Sequence, residues 1–224
     1  MAFVIGITGG YGTGKSTTGV IKAQQWAAAS GAKLFSNFPM RGAFLFDHFT
    51  DWYRVAAVHG SIIVFDESQR NFDGRQWGAA GNITQSQIIN YVRKMNCLLI
   101  FILPSYENID TRIRQVTDVL IHCHKSQGGT IFNYIYDYQD KNFGEWGRLT
   151  NQWVLPPHSQ KKVYGLNLFD THSMIQKFPM PYGEKQTIEF FEELDRIHEE
   201  ALSRYGLKVE IDILAKEELE FYAS

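Results

Sequence analysis

The residues with the most definite chemistry lie near the amino end and match the pattern G-x-x-x-x-G-K-[ST]. They are Gly9, Gly10, Tyr11, Gly12, Thr13, Gly14, Lys15 and Ser16, followed by Thr17. Glycines in such a loop let consecutive backbone N–H groups point inward around phosphate oxygens, and the amino end of the following helix adds partial positive charge. Lys15 is expected to reach the β- and γ-phosphates, and the Ser16 hydroxyl to bind Mg²⁺. We therefore predict that Gly9–Thr17 binds ATP together with Mg²⁺.

A second group of polar residues follows the apolar stretch Ser61–Phe65, which is typical of a buried parallel strand. Asp66 and Glu67 come directly after it, at the carboxyl end of a predicted strand that neighbours the phosphate loop. Ligands bind at this edge of open α/β sheets. Asp66 is the candidate ligand of Mg²⁺, directly or through water. Glu67 is the candidate to orient or deprotonate an attacking water, and the alternative is a surface acid at a strand end.

Further candidates follow the apolar stretch Cys97–Leu103, whose end is also expected to approach the γ-phosphate. Ser105 is the candidate to sense that phosphate, and an ordinary Pro-Ser turn explains it equally well. An arginine from a neighbouring subunit would stabilise the charge that develops on the γ-phosphate. Arg114 and Arg112 are the leading candidates, followed by Arg75, although a single arginine is more often solvated or structural.

The elements that must position these residues alternate between strands and helices. Strands are predicted at 3–7, 33–37, 61–65, 97–103 and 119–124, and helices at 15–29, 44–59, 83–95 and 110–115. Such alternation implies right-handed βαβ crossovers and a mainly parallel sheet flanked by helices, which is an α/β fold.

The pattern changes after Gly129. Residues 131–138 alternate apolar with polar, 142–153 are rich in turn residues and 163–169 resemble a late strand, which together predict an antiparallel extension of the sheet edge. Residues 184–205 predict a long amphipathic helix with Ile188, Phe191, Leu194, Ile197 and Ala201 on one face. We expect residues 1–183 to form the core and 184–224 an acidic helical segment packed on the same domain.

Composition excludes several classes of protein. Hydrophobic residues make up 44% and charged residues 21%, which is ordinary for a globular chain and rules out a disordered one. Two cysteines exclude a disulfide framework, and no Cys/His group has zinc spacing. The longest apolar run is far shorter than the ~20 residues of a membrane helix, so we expect a soluble cytoplasmic protein with no membrane insertion of its own.

Charge is divided unevenly along the chain. Residues 1–183 contain 17 bases and 12 acids, a net charge of +5, whereas residues 184–224 contain 5 bases and 12 acids, a net charge of −7. A mildly basic body is compatible with a bound polyanion. A solvated acidic helix on a near-neutral domain is the simpler explanation, so charge does not decide the function.

Together these residues resemble the HerA/FtsK branch of P-loop ATPases, and more narrowly Zot-like proteins and the genome-packaging ATPases of tailless, membrane-containing viruses. The resemblance covers about the first 170 residues. It rests on GGYGTGKST at Gly9–Thr17, SNF at Ser36–Phe38, VFDESQRNFDGR at Val64–Arg75, FILPSYENIDTRIRQVTDVLIHCHK at Phe101–Lys125 and YGLNLFDT at Tyr164–Thr171, which resembles a closing strand. Members of this group often carry Gln where this chain has Pro104-Ser105.

The resemblance implies a RecA-like core that assembles into a homo-oligomeric ring, hydrolyses ATP between subunits and moves double-stranded DNA through its centre. A packaging ATPase would have capsid or membrane-vertex proteins as partners and would be found in the host cytoplasm or with the virion. A Zot-like ATPase for filamentous virion assembly is the alternative. The glycine-rich stretch Asn71–Ile83 would be either a pore loop or a plain surface loop.

Two other classes remain as alternatives. A small-molecule or nucleotide kinase of this size is common among P-loop proteins, but the chain has no obvious Arg-rich lid and the Asp66-Glu67 pair suits attack by water. A nucleotide-binding protein without turnover would leave Glu67 unexplained. A GTPase is disfavoured because the chain contains no N-K-x-D sequence for reading guanine.

Overall fold

A computed structural model describes residues 4–66, 88, 91–108, 111–170 and 183–207. Within these ranges eight strands form one sheet. The strands are β1 (Val4–Thr8), β2 (Lys33–Ser36), β3 (Ala43–Leu45), β4 (Ser61–Phe65), β5 (Cys97–Leu103), β6 (Val119–Lys125), β7 (Ile131–Asp137) and β8 (Arg148–Leu155). Their order across the sheet is β3-β2-β4-β5-β1-β6-β7-β8.

The first six strands are parallel, as the alternation of strands and helices predicts. β1 and β4 are buried along their whole length, because helices cover both faces of this part of the sheet. The strand order corrects one expectation. β4, which leads into Asp66, is not the neighbour of β1, since β5 lies between them.

The antiparallel extension predicted at the sheet edge is confirmed, because β7 pairs antiparallel with β6 and β8 pairs antiparallel with β7. The extension is larger than the sequence indicated, since the strand Arg148–Leu155 begins inside the stretch 142–153 that was predicted to be rich in turns. Most side chains of β8 are exposed, so it lacks the apolar alternation by which strands are recognised. Its pairing with β7 makes it a strand.

Helices occupy both faces of the sheet in the described ranges: α1 (Lys15–Ser30), α2 (Asp51–Ala56), α3 (Thr111–Val116), α4 (Pro157–Gly165) and α5 (Gly183–Arg204). The helix predicted at 44–59 is wrong in its first part. Phe44 lies in the edge strand β3, which pairs with β2, and only the later apolar positions belong to α2. The Phe46 amide donates to the Ser36 carbonyl at 2.8 Å, which ties this segment to the sheet before the helix begins.

The late strand predicted at 163–169 is also wrong. Pro156 and Pro157 start the helix α4, in agreement with the preference of proline for the first helical turn. The Gln160 amide stabilises that start by donating to the carbonyls of Gly129 and Leu155, at 2.7 and 2.9 Å. Within the described residues 166–170 that follow α4, Phe169 forms an isolated β-bridge with Met40.

The long helix predicted near the carboxyl end is confirmed as α5. Phe190 and Leu194 are buried against the core that contains α2, whereas Ile188, predicted on the buried face, is 51% exposed. The Phe190 ring packs on the rings of Phe49 and Tyr53, at 5.5 and 5.4 Å between centroids. Among the described helices, none combines the length and apolar character required to cross a bilayer.

Candidate nucleotide-binding site

The site lies at the carboxyl edge of the parallel strands, where the loop 9–14 leaves β1 and enters α1. Gly14 has φ +88°, and a Cβ atom there would lie 2.3 Å from Cδ1 of Ile131. A Cβ atom on Gly9 would lie 2.3 Å from the Cys123 carbonyl oxygen. Both positions therefore require glycine, because the loop turns tightly while it presses against β6 and β7.

Lys15 lies against the loop that carries it. Its Nζ donates to the Gly10 carbonyl at 2.7 Å, and the Thr13 hydroxyl donates to the same oxygen at 2.8 Å. Burial lowers the pKa of the Lys15 ammonium, and the negative charge of Asp66 opposes that shift. The charges of Lys15 and Asp66, both predicted site residues, therefore interact.

The two predicted magnesium ligands are in direct contact. The Ser16 hydroxyl donates to Oδ2 of Asp66 at 2.5 Å, although 50 residues separate them in the chain. A serine hydroxyl and a carboxylate are oxygen donors of the kind that Mg²⁺ prefers, with phosphate and water oxygens supplying its other ligands. The described residues contain no group of three or more His, Cys, Asp or Glu suited to a metal.

Asn37 is a site residue that the sequence argument missed. Its side-chain amide donates to the Asp66 carbonyl at 3.0 Å, and the Asp66 amide donates to its Oδ1 at 2.8 Å. Asn37 follows β2 and is 9% exposed. One side chain thus holds both backbone polar groups of the candidate magnesium ligand. The sequence signal was an asparagine at the last position of a predicted strand, where it can pair with the end of a neighbouring strand.

A buried polar cluster on the other side of α1 was also missed. The Thr18 hydroxyl donates to Oδ1 of Asn133 at 2.8 Å, and the Cys123 thiol donates to the same atom at 3.1 Å. Burial raises the pKa of the Cys123 thiol to about 11, so it remains protonated at neutral pH. The cluster joins the first turn of α1 to β6 and β7, and thereby fixes the phosphate loop relative to the sheet extension.

The remaining predicted residues fall in different places. Ser105 follows β5, whose last residue pairs with Thr8, so it lies at the edge of the sheet where the phosphate loop begins. The Thr8 hydroxyl also donates to the Pro104 carbonyl at 3.4 Å. Glu67, Arg70, Arg75 and the stretch 71–83 lie outside the described residues.

The two leading arginine candidates both lie on the helix α3. The Arg114 guanidinium donates to the Thr111 hydroxyl at 3.0 Å. Burial raises the pKa of Tyr138, and the nearby positive charge of Arg114 opposes that shift. The Tyr138 amide donates to Asp118, which in turn donates to Val4 at the start of β1. Arg114 therefore lies toward the opposite edge of the sheet, and Arg112 is exposed on the same helix.

Comparison with solved structures finds several proteins to which this chain is similar. The N-terminal domain of zonular occludens toxin from Neisseria meningitidis is 18% identical, with a TM-score of 0.50 over 76% of this chain and 100% of that domain. The genome packaging NTPase B204 of Sulfolobus turreted icosahedral virus 2, in complex with ATP-gammaS, is 12% identical, with a TM-score of 0.45 over 67% of this chain and 95% of that one. Flagellar accessory protein FlaH from Methanocaldococcus jannaschii is 13% identical, with a TM-score of 0.45 over 68% of this chain and 84% of that one.

Comparison with protein families finds a match, whereas no curated protein matches the chain. The model of the zonular occludens toxin (Zot) family matches residues 39–164, which include Asp66 and β3 to β8. The matched range is more than half of the 224 residues, and the phosphate loop precedes it. The chain therefore belongs to the Zot family, with the fold of a RecA-like P-loop NTPase.

Proposed function

We propose that this chain is an Mg²⁺-dependent ATPase that uses the energy of hydrolysis to translocate double-stranded DNA, packaging a viral genome into a preformed capsid. The observation that carries the ATPase part is the contact between Ser16 and Asp66 beside a complete phosphate loop. It brings together, from distant parts of the chain, the two oxygen donors that P-loop enzymes use to hold the cation of a bound nucleotide.

Each residue of the site has a separate task in this proposal. The backbone N–H groups of the loop hold the phosphate chain, and Lys15 neutralises charge on the β- and γ-phosphates. Ser16 and Asp66 would hold Mg²⁺, which supplies positive charge to the phosphate oxygens. Glu67 is proposed to orient the attacking water and accept its proton, since it directly follows the magnesium ligand in the chain.

The DNA-translocating part rests on family resemblance, and the charge of the chain is compatible with it. The sequence resembles packaging ATPases of the HerA/FtsK branch, and residues 1–183 have a net charge of +5. We propose a ring in which Arg114 or Arg112 of one subunit acts on the phosphate bound by the next. Arg114 lies near Tyr138, toward the edge of the sheet opposite the phosphate loop of its own chain, which is compatible with action between subunits.

The ATPase is tested by measuring phosphate release from ATP with and without Mg²⁺. Removing a general base typically lowers the rate about 10²- to 10⁴-fold, so Glu67→Gln should lose turnover to that extent while it still binds ATP. Lys15→Ala should lose both binding and turnover. Turnover that survives in Glu67→Gln would remove Glu67 from the catalytic role, and a wild-type chain with no affinity for ATP would refute the proposal.

The DNA-dependent part is tested by adding double-stranded DNA to the same assay. We expect DNA to increase the wild-type rate and to leave Lys15→Ala inactive. A rate that is indifferent to DNA, together with association with a membrane partner, would favour the role in filamentous virion assembly. Phosphoryl transfer to nucleosides or nucleotides in place of water would identify a kinase.

A further inference from the structure

Tyr164 is an aromatic residue beside the phosphate loop that the proposed function does not use. Its hydroxyl lies 3.3 Å from the Thr17 hydroxyl, and its side chain is 44% exposed. α4, which carries it, is held at its start by Gln160 and is followed by a segment bonded to Arg41. The Arg41 amide donates to the Leu168 carbonyl at 2.7 Å, and its guanidinium donates to the Leu166 carbonyl at 3.2 Å. The chain is therefore held by hydrogen bonds both before and after Tyr164.

The directions of the α1 side chains indicate on which side of this helix each end of a bound nucleotide would lie. Successive helical residues turn by about 100°, so side chains two residues apart point in nearly opposite directions. Ser16 faces Asp66 beyond β4, and Thr18 faces Asn133 on β7. Gly19 faces the sheet, because a Cβ atom there would lie 2.7 Å from Ile102. Thr17, two residues earlier, therefore points away from the sheet, toward Tyr164.

This geometry predicts the orientation of a bound nucleoside triphosphate. Ser16 and Asp66 would hold Mg²⁺ in the proposed function, and its positive charge would place the terminal phosphates of a bound nucleotide on their side of α1. The α-phosphate and the nucleoside must then leave the loop on the side of α1 remote from Asp66. We propose that the ring of Tyr164 stacks against the base of bound ATP and makes this residue a determinant of nucleoside binding. The inference rests on the proposed function for the position of the phosphates.

The charge of the surrounding elements is compatible with a bound nucleotide that extends past α4. Residues 119–136 and 149–169, which form β6, α4 and most of β7 and β8, contain no Asp or Glu, although the chain has 24 acids. They contain Lys125, Lys161 and Lys162, all exposed. A nucleotide approaching past α4 thus meets positive and neutral groups, which favours binding of a polyanion.

The test compares the binding of ATP with that of inorganic tripolyphosphate, which has the phosphate chain but no base. Stacking of a base on an aromatic ring contributes about tenfold or more to affinity, so Tyr164→Ala should weaken ATP binding by about tenfold. The same variant should bind tripolyphosphate as the wild type does. Tyr164→Phe keeps the ring and should bind ATP normally. Tyr205→Ala is the matched control, because Tyr205 is 48% exposed at the far end of α5.

Three results would overturn the inference. Equal weakening of ATP and tripolyphosphate would mean that Tyr164 acts on the phosphate loop through Thr17. Unchanged ATP binding in Tyr164→Ala would place the base elsewhere, and weakened ATP binding in Tyr164→Phe would show that the hydroxyl, and not the ring, makes the contact. Failure of the proposed function is distinguishable, because a wild-type chain that binds ATP without hydrolysing it refutes the ATPase and leaves the Tyr164 result intact.

Discussion

Asp66 is held in position by hydrogen bonds from two other segments of the chain. Its side chain accepts a hydrogen bond from Ser16 on α1, and its backbone amide and carbonyl are both bonded to the side chain of Asn37 after β2. A metal ligand is effective when other groups hold it in position, because its orientation then does not have to be selected as the cation binds. Asn37 is therefore a positioning residue for the candidate magnesium site.

We predict that Asn37→Ala lowers the free energy of unfolding by about 1–3 kcal/mol, because two partly buried hydrogen bonds to the Asp66 backbone are lost. It should also raise the Mg²⁺ concentration needed for half-maximal ATP hydrolysis. Denaturant unfolding and a Mg²⁺ titration of the ATPase rate measure the two effects. Asn142→Ala is the control, since Asn142 is exposed and remote from the site. An unchanged Mg²⁺ requirement would reduce Asn37 to a structural role.

At the scale of elements, β1 is the strand around which the site is arranged, since it lies between β5 and β6 and ends in the phosphate loop. Tyr106, in the short 3₁₀ turn Tyr106–Asn108 after β5, packs directly on the middle of β1. The side chains of Tyr106 and Thr117 are hydrogen-bonded to each other. This packing is possible because β1 has glycine at position 6.

We predict that Gly6→Ala lowers the free energy of unfolding by about 1–3 kcal/mol, as overpacked core positions do. A Cβ atom at Gly6 would lie 2.3 Å from Cε2 of Tyr106, which is 7% exposed, so the buried ring or the strand would have to shift. Urea unfolding measures the change. Gly165→Ala is the matched control, because a Cβ atom at the end of α4 meets no other atom within 4 Å. Equal stability of the two variants would contradict the tight packing of Tyr106 on β1.

At the scale of the molecule, the sheet separates two clusters of buried side chains. One cluster contains α1 residues such as Val20 and Ala23, and the other contains α2 and α5 residues such as Trp52 and Phe190. The acidic helix α5 thus contributes Phe190 to one of these two core layers. The boundary between residues 183 and 184 stays a prediction.

We predict that Phe190→Ala lowers the free energy of unfolding by about 3–5 kcal/mol, because Phe190 is 1% exposed among aromatic rings of α2 and α5. Ile188→Ala, on the exposed side of the same helix, should change it by less than about 0.5 kcal/mol. Denaturant unfolding followed by far-ultraviolet circular dichroism measures both. Two separate transitions in the wild type, with only one affected by Phe190→Ala, would show that α5 is a separate unit.

Features of this protein that depend on contiguous residues could be predicted from the sequence. The phosphate loop, the buried strands β1, β4 and β5, the helices α1 and α5 and the Asp66 carboxylate were all predicted, because each has a local signal in glycine spacing, apolar runs or helical periodicity. β8 and α4 were missed or mistaken, because a polar strand and a short helix have weak local patterns and depend on their neighbours.

The contacts between residues that are distant in the chain are evident only from the tertiary structure. Asn37 and Asp66 are 29 residues apart, and Thr17 and Tyr164 are 147 apart, so no local pattern connects them. The placement of β5 between β1 and β4 likewise follows from the pairing of whole strands. Sequence motifs specify ligand types and backbone conformation over a few residues, whereas contacts between distant segments are set by how the sheet and its helices bury their apolar faces together.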